Sequence, residues 1–440
     1  MDLMQFVPMF GNFAFTMVAF VVALSVIVAI HEYGHYIVGR WCGIHAEVFS
    51  LGFGPVLWSG SDKRGTTWQL AALPLGGYVK FLGDANAASV GTDGAVDEGD
   101  LRRTMHGAPL WARAATVAAG PIFNFILAIA IFTGSLMYQG RSVDPLTFGT
   151  LRDLPAGYAT DLRAGDVMLA VEGVPFEGGN LDELVPLKDR LDYTVLRDGD
   201  EITVEGPYFL PPAVSGVIPR SAADDANLKV GDVITAIDGT PVFAFNQIVE
   251  IVKAAEGAPL NMQIMRDGRV LDVVLTPRAT DEPAPGGTFV RKYRIGITGQ
   301  LFFNEQTEVV GIGEALWMGA QGLWTTMTTS LSAMKHIILG RISTCNLSGP
   351  VGIAETSGSM ASQGAQSFLW FIGALSAGVG LINLFPIPVL DGGHLMFYAY
   401  EAVAKRKPSE RAVRIFMFAG LSLILAMMSF TILNDTFLCP

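Results

Sequence analysis

Long apolar runs alternate along this chain with stretches that change polarity every second residue. The first run covers 12–30 and meets no charge before Glu32; the second lies between Arg113 and Arg141. The third covers about 368–390, and the fourth lies between Arg414 and Asp435. Each is long enough for the roughly 20 residues that a helix needs to cross hydrocarbon. A fifth stretch, 315–334, is free of acidic and basic residues but diluted by Thr, Ser, Gln and Gly. Between the second and third runs the period shortens to two, with Gly-Asp punctuation, which predicts strands. There GDVMLAVEGVPF (165–176) returns as GDVITAIDGTPV (231–242). Each copy is followed by a hairpin signal, Arg197-Asp198-Gly199 and Arg266-Asp267-Gly268, between β-rich flanks. The pattern therefore predicts four membrane helices and a repeated α+β domain, the Pro-rich stretch 281–288 serving as the linker that leaves the second copy.

Composition agrees: half of the 440 residues are hydrophobic, only 16% are charged, and the mean hydropathy is +0.41. The net charge of −12 excludes nucleic acid as a partner, because a phosphate backbone needs a basic face. The placement of Lys and Arg sets the expected orientation. Arg40, Lys63, Arg64, Lys80, Arg102, Arg103 and Arg113 follow the first run, and Lys405, Arg406, Lys407, Arg411 and Arg414 precede the fourth, whereas no basic residue precedes the first. By the positive-inside rule these connections are cytoplasmic, and both termini and the repeated domains are extracytoplasmic. Were 315–334 also a span, the basic 405–414 loop would be pushed outside, so that stretch is expected to be an amphipathic or re-entrant helix on the outer side. The first run has no basic n-region and no small-residue cleavage site, and reads as a retained helix. Two sequences in the cytoplasmic connection, HAEVFSLGFGPVLWSG and TTWQLAALPLGGYVKFLGD, read as strand pairs, and the acidic 84–100 as a flexible loop. Of three cysteines, Cys345 and Cys439 fall on the outer side, where a disulfide between them is an option, and Cys42 should stay reduced.

The chemistry concentrates in two places. In His31-Glu32-Tyr33-Gly34-His35, residues four apart share one helix face, so both imidazoles can reach one ion with Glu32 beside it. Two His and a Glu at the edge of hydrocarbon are costly unless they bind something. A zinc ion needs a third ligand; the only nearby acid, Glu47, sits in a predicted strand. Asp391 is the better candidate, because it follows a third run broken by Pro386 and Pro388 and lies toward the same membrane side as His31. His45, His106, His336 and His394 read as surface or interfacial residues.

HEYGH, the FSLGFGP and LPLGGYVKF strands, GPIFNF at 120–125, the tandem repeats, NLSGP at 346–350 and NLFPIPVLDGGH at 383–394 occur in an order that resembles the site-2 protease family, of the bacterial regulator of sigma-E protease type. The resemblance covers nearly the whole chain. It implies an intramembrane zinc endopeptidase with one Zn2+ held by His31, His35 and Asp391, Glu32 as catalytic base, and Asn383 holding the substrate backbone near the metal. Asn124 is a further candidate for such support. The repeats resemble PDZ domains, in which a strand near a Φ-Gly-Φ stretch accepts an extended peptide; Gly216, Val217 and Ile218 would offer that strand in the second copy. Thr147-Phe148-Gly149-Thr150 is the degenerate counterpart in the first.

The expected organisation is a first transmembrane helix with HEYGH (1–40), a cytoplasmic β-region and loop (41–112), a second helix (113–140), two PDZ-like domains (141–206 and 207–280), a linker with the amphipathic or re-entrant helix (281–365), a Pro-broken third helix (366–402) and a fourth (410–435). Expected partners are the lipid bilayer, single-pass membrane substrates such as trimmed anti-sigma factors or remnant signal peptides, and peptide C-termini at the PDZ-like domains. The expected location is the bacterial inner membrane. A non-catalytic adaptor built on the repeats is the competing reading, opposed by the intact HExxH and Asp-Gly. A transporter is opposed by the clustering of the polar groups at one depth.

Overall fold

The computed structural model describes residues 3–83, 100–152, 159–176, 184–284 and 288–438. Two units result: one from Met1–Ser135, Gly313–Lys335 and Leu347–Pro440, the other from Leu136–Ile312 and His336–Asn346.

The first unit is built on apolar helices. In chain order it contains α1 (Leu3–Trp41), strands β1 (Ala46–Ser61) and β2 (Thr67–Phe81), α2 (Leu110–Gln139), α3 (Ile312–Ile338), α4 (Pro350–Ser362), α5 (Ala365–Asn383), α6 (Asp391–Ala404) and α7 (Glu410–Leu433). Among the described residues four helical segments are long and apolar enough to cross a membrane: Phe13–Trp41, Leu110–Gln139, Ala365–Asn383 and Glu410–Thr436. Ala23 and Ile27 of α1 pack on Ile372 of α5, and Ala128 and Phe132 of α2 pack on Leu323 of α3 and Ala377 of α5. Small residues let the backbones close up. A Cβ on Gly34 of α1 would lie 2.6 Å from the Ala119 carbonyl oxygen of α2.

Two of the elements differ from the expectation. The stretch 315–334 belongs to one continuous helix, α3, so it is not re-entrant. Its Ala315, Gly319 and Leu323 are buried while Trp317 and Trp324 are about two-thirds exposed, so apolar residues lie on both sides and the amphipathic pattern is weak. The third apolar region is broken at Pro386 and Pro388, as expected, into two helices, α5 and α6, separated by 384–390. Helix α4, rich in Gly, Ser and Ala, was assigned to no element by the hydrophobic pattern. Asp435 caps its N-terminus, accepting from the Gly349 and Gly352 N–H groups at 3.1 and 3.0 Å. This explains both an acid at the end of an apolar helix and the NLSGP stretch, through an ordinary helix cap made by a distant residue.

Strands β1 and β2 both bend. Residues 48–51 stand between two partners, with 67–70 on one side and 77–80 on the other, while 58–61 pair with 67–70. Gly52 makes the bend possible: its φ is +90° and a Cβ would lie 2.8 Å from the Ala71 carbonyl oxygen. The sheet packs Phe49, Val79 and Phe81 against Tyr36 of α1 and Ala112 and Val117 of α2.

The second unit holds the repeats, and they have the same topology. Each is a four-stranded sheet, Val174–Pro175, Val167–Val171, Arg190–Arg197 and Asp200–Pro207 in the first, and Thr240–Pro241, Val233–Ile237, Leu260–Arg266 and Arg269–Leu275 in the second, neighbours in that order. Both Arg-Asp-Gly turns are two-residue hairpin loops with positive φ at Asp198, Gly199, Asp267 and Gly268, the geometry that matches strand twist. The expected boundaries at 206 and 280 fail, because later segments close each core. Ile297–Thr298 pairs with Gly216–Val217, and Ile295 is buried in the second core. Phe303–Glu305 pairs with Phe148–Leu151, and Phe302 and Phe303 are buried in the first. Within the expected linker, 281–284 belong to a strand, Arg278–Ala284, that pairs with Thr288–Arg294. Cys345 is in a disulfide and Cys42 is free; its expected partner Cys439, like 84–99 of the acidic loop, lies outside the described residues.

Candidate active site

Helix α1 runs without interruption through HEYGH, so His31 and His35 project from consecutive turns. Their rings stand edge to face at 82° with centroids 4.8 Å apart, and the two Nε2 atoms are 3.1 Å apart. Asp391, the first residue of α6, closes the triangle: its Oδ2 is 3.1 Å from His31 Nε2 and its Oδ1 3.5 Å from His35 Nε2. The side chains are only 12% (both His) and 17% (Asp) exposed.

The chain reaches that point because α5 cannot continue. Pro386 and Pro388 lack the N–H that a helix needs, and the break leaves 384–390 irregular. Val389 takes a φ of +89°, a costly conformation for a β-branched residue, two positions before the carboxylate. Gly392 lets α6 start against this loop, since a Cβ there would strike the Leu384 and Phe385 carbonyl oxygens.

Helix α2 holds the far side of the imidazoles. His35 Nδ1 donates to the Thr116 carbonyl oxygen at 2.9 Å; a carbonyl only accepts, so a proton sits on Nδ1, and in the neutral ring the lone pair is then on Nε2. Pro121 sits inside α2, without the N–H that would close the preceding turn. At the neighbouring Gly120, a Cβ would collide with His35 Nε2 and lie 2.8 Å from His31 Cε1. Asn124 Nδ2 is 3.1 Å from His31 Nδ1. Asn124 is fully buried, so the expectation that it supports the substrate backbone is corrected: it faces a histidine.

Two imidazole nitrogens and a carboxylate are the ligand set of a zinc site with one position left for water. Ligand bonds of roughly 2.0–2.1 Å in a tetrahedron give ligand-to-ligand edges of about 3.3 Å; the two Nε2 atoms stand 3.1 Å apart and His31 Nε2 is 3.1 Å from Asp391 Oδ2, while His35 Nε2 is nearest the other carboxylate oxygen, Oδ1, at 3.5 Å. Asp391 Oδ2 is buried with no hydrogen bond of proper geometry, as expected of an atom directed at an ion. The donors present fit zinc.

The model of peptidase family M50 matches residues 19–427. The chain belongs to peptidase family M50. A protein of Rhizobium meliloti (strain 1021), named as a candidate zinc metalloprotease, is 35% identical over 428 residues, covering 96% of this chain and 97% of its own. A counterpart from Brucella suis biovar 1 (strain 1330) with the same type of name is also 35% identical, at 96% coverage of both chains. The regulator of sigma-E protease RseP of Salmonella typhimurium (strain 14028s) is 32% identical over 450 residues, covering 95% of this chain and 97% of its own. This M50 peptidase is accordingly a zinc metalloprotease.

A cavity of about 890 Å³ opens beside the triad of the M50 peptidase, lined by His31, Glu32, His35, Asn383 and Asp391. Glu32 is held there by β2: the Val79 backbone N–H bonds its carboxylate, and a Cβ on Gly77 would lie 3.1 Å from Glu32 Cγ. Asn383, the last residue of α5, donates to the Val379 carbonyl oxygen at 3.1 Å. His106, which is exposed, and His394, which is half-buried, also line the cavity, whereas His336 is buried, unlike the surface or interfacial residue expected. Arg113 makes a two-pronged bond to Glu401 at 2.7 and 3.0 Å on the same wall, and this guanidinium holds the Glu401 carboxyl below its usual range. In the second repeat Gly216 is buried, Val217 half-buried and Ile218 exposed, and one edge of the two-residue strand is already paired.

Proposed function

We propose that this M50 peptidase is an intramembrane endopeptidase that hydrolyses peptide bonds within transmembrane segments of single-pass membrane proteins. The observation that carries the reading is the convergence of His31, His35 and Asp391 from two apolar helical regions, with Glu32 on the wall of the same cavity. His31, His35 and Asp391 hold one zinc per chain. When bound, zinc supplies Lewis acidity, polarising a carbonyl and acidifying water. Glu32 accepts the proton of the attacking water and passes it to the leaving amine, and the Val79 N–H keeps its carboxylate aimed into the cavity.

A transmembrane substrate hides its peptide groups in its own helix, and in lipid an unwound segment has no water to satisfy them. Asn383 at the C-terminal end of α5 offers one set of polar partners, and the strand 77–81 that lines the cavity offers a backbone edge. The repeats are PDZ-like domains on the extracytoplasmic side, with both termini, and the chain resides in the bacterial inner membrane. Gly216, Val217 and Ile218 meet peptide C-termini there. Substrates are of the anti-sigma-factor or remnant-signal-peptide type, as the name of the RseP relative suggests, within regulated intramembrane proteolysis.

The test is co-expression of a single-pass membrane reporter with the wild type or Glu32→Gln, both purified in parallel for zinc. The reading requires cleavage by the wild type only and about one zinc per chain in both. Equal cleavage by the variant removes Glu32 from the mechanism.

A further inference from the structure

We infer that Asn124 is a positioning residue for zinc: its amide oxygen accepts the proton on His31 Nδ1 and so fixes the tautomer in which His31 Nε2 can bind metal. The inference rests on the ligand set proposed above and adds a residue to it.

The two imidazoles are treated differently by α2. His35 has a carbonyl behind it, so its tautomer is settled by a group that can only accept. His31 has an amide behind it, and an amide can present either a donor or an acceptor. As placed, Asn124 presents Nδ2 at 3.1 Å from His31 Nδ1, which puts the ring proton on Nε2, the atom that faces Asp391 Oδ2 at 3.1 Å. That arrangement suits a site without metal. A neutral imidazole cannot ligate through a protonated nitrogen, so zinc requires the proton on Nδ1 and an acceptor beside it.

The acceptor is already in place. Asn124 Oδ1 is buried without a hydrogen-bond partner, although Asn124 is fully buried in the helix pair. A half-turn of the amide exchanges the two atoms, which differ little in size. Either orientation leaves one amide atom unpaired, so the turn has little cost of its own and the metal decides it. The Asn124 backbone is held independently, because Ser376 Oγ donates to its carbonyl oxygen at 2.9 Å. Asn124 is thus the counterpart for His31 of the Thr116 carbonyl for His35. It does not touch the substrate.

The test measures zinc affinity of the purified full-length protein by competition with a chromophoric chelator, for the wild type, Asn124→Asp, Asn124→Leu and Ser376→Ala. Asp keeps an acceptor at the same distance; Leu has similar volume and none. Loss of an outer partner of a metal-bound His weakens binding by roughly 10- to 100-fold. The inference predicts that fall for Asn124→Leu, wild-type or tighter affinity for Asn124→Asp, and near wild-type affinity for Ser376→Ala, which removes a helix contact but no imidazole partner. Wild-type affinity in Asn124→Leu overturns it, and so does a parallel fall in Asn124→Asp. If Asn124→Leu does not fold, the Asp and Ser376→Ala pair decides: affinity lost in Asp and kept in Ser376→Ala overturns the inference. Failure of the ligand assignment itself reads differently, as wild-type protein that binds no zinc.

Discussion

Asp166 and Asp232 in the repeat unit and Asp391 in the membrane unit are all shielded carboxylates, and they are treated in opposite ways. In the repeat unit Asp166 and Asp232 are 2% and 1% exposed, and each is fully engaged. Arg197 and Arg266 clasp them through Nε and Nη2 at 2.6–2.7 Å, and the Arg163 and Lys229 N–H groups add a third bond. In the membrane unit Asn124 Oδ1, Arg113 Nε, Thr133 Oγ1 and Gln366 Nε2 are buried with no hydrogen-bond partner, and Asp391 Oδ2 has only His31 Nε2 at 3.1 Å, without hydrogen-bond geometry. Both patterns come from the same chain, so carelessness of packing does not separate them. A buried group left unpaired costs about 1–3 kcal/mol, and two of these five atoms, Asn124 Oδ1 and Asp391 Oδ2, stand beside the imidazoles. Satisfied pairs in the repeats lock a fold; unsatisfied ones around His31 await a ligand.

The comparison breaks most visibly at the triad. Asp391→Ala should abolish proteolysis and remove zinc, seen together by reporter cleavage and elemental analysis, whereas Glu32→Gln should lower the rate by roughly 10²–10⁴-fold and leave zinc in place. Gly120→Ala comes next. The added methyl collides with His35 Nε2, so zinc content should fall although no ligand is changed; retention of full zinc would mean that α2 can retreat from α1. In the repeat unit, Asp232→Ala strands Arg266 and should destabilise that repeat by on the order of 3 kcal/mol, measured as faster hydrogen exchange over 260–275. Zinc content should not change, and if it did the two units would be coupled.

The smallest effect is acid sensitivity of the first repeat. Burial pushes the Asp166 carboxyl up, but the Arg197 hydrogen bonds and the Arg163 N–H more than offset it and hold it below its usual range. A depressed folded pKa gives stability that is fully present above the unfolded value of about 4 and is lost as pH falls through the folded value. Exchange over 190–207 should therefore accelerate below about pH 4, and Arg197→Met should remove that dependence.

How much of this was legible in the sequence follows from how far apart the partners lie. The apolar runs and HEYGH are local patterns, and the elements carrying them stand where the periodicity puts them. Asp391 was legible as an acid out of place after two prolines. The strands that close the repeats were not: Ile297–Thr298 and Phe303–Glu305 are two or three residues long and pair with segments far upstream, so no local alternation marks them. Helix α4 was hidden because Gly, Ser and Ala carry little periodic signal, and its cap is the remote Asp435. Asn124 was visible as a polar residue in an apolar helix, but its direction depends on the crossing of α1 and α2, which one-dimensional spacing does not contain.

The central claim is that the bond cut lies inside a transmembrane segment, and mass-spectrometric mapping of the reporter's new termini tests it directly. The account predicts a cut within the apolar stretch of the reporter, abolished by a zinc chelator and slowed roughly 10²–10⁴-fold by Glu32→Gln. A cut confined to the soluble flanks, or one that survives both treatments, would contradict it.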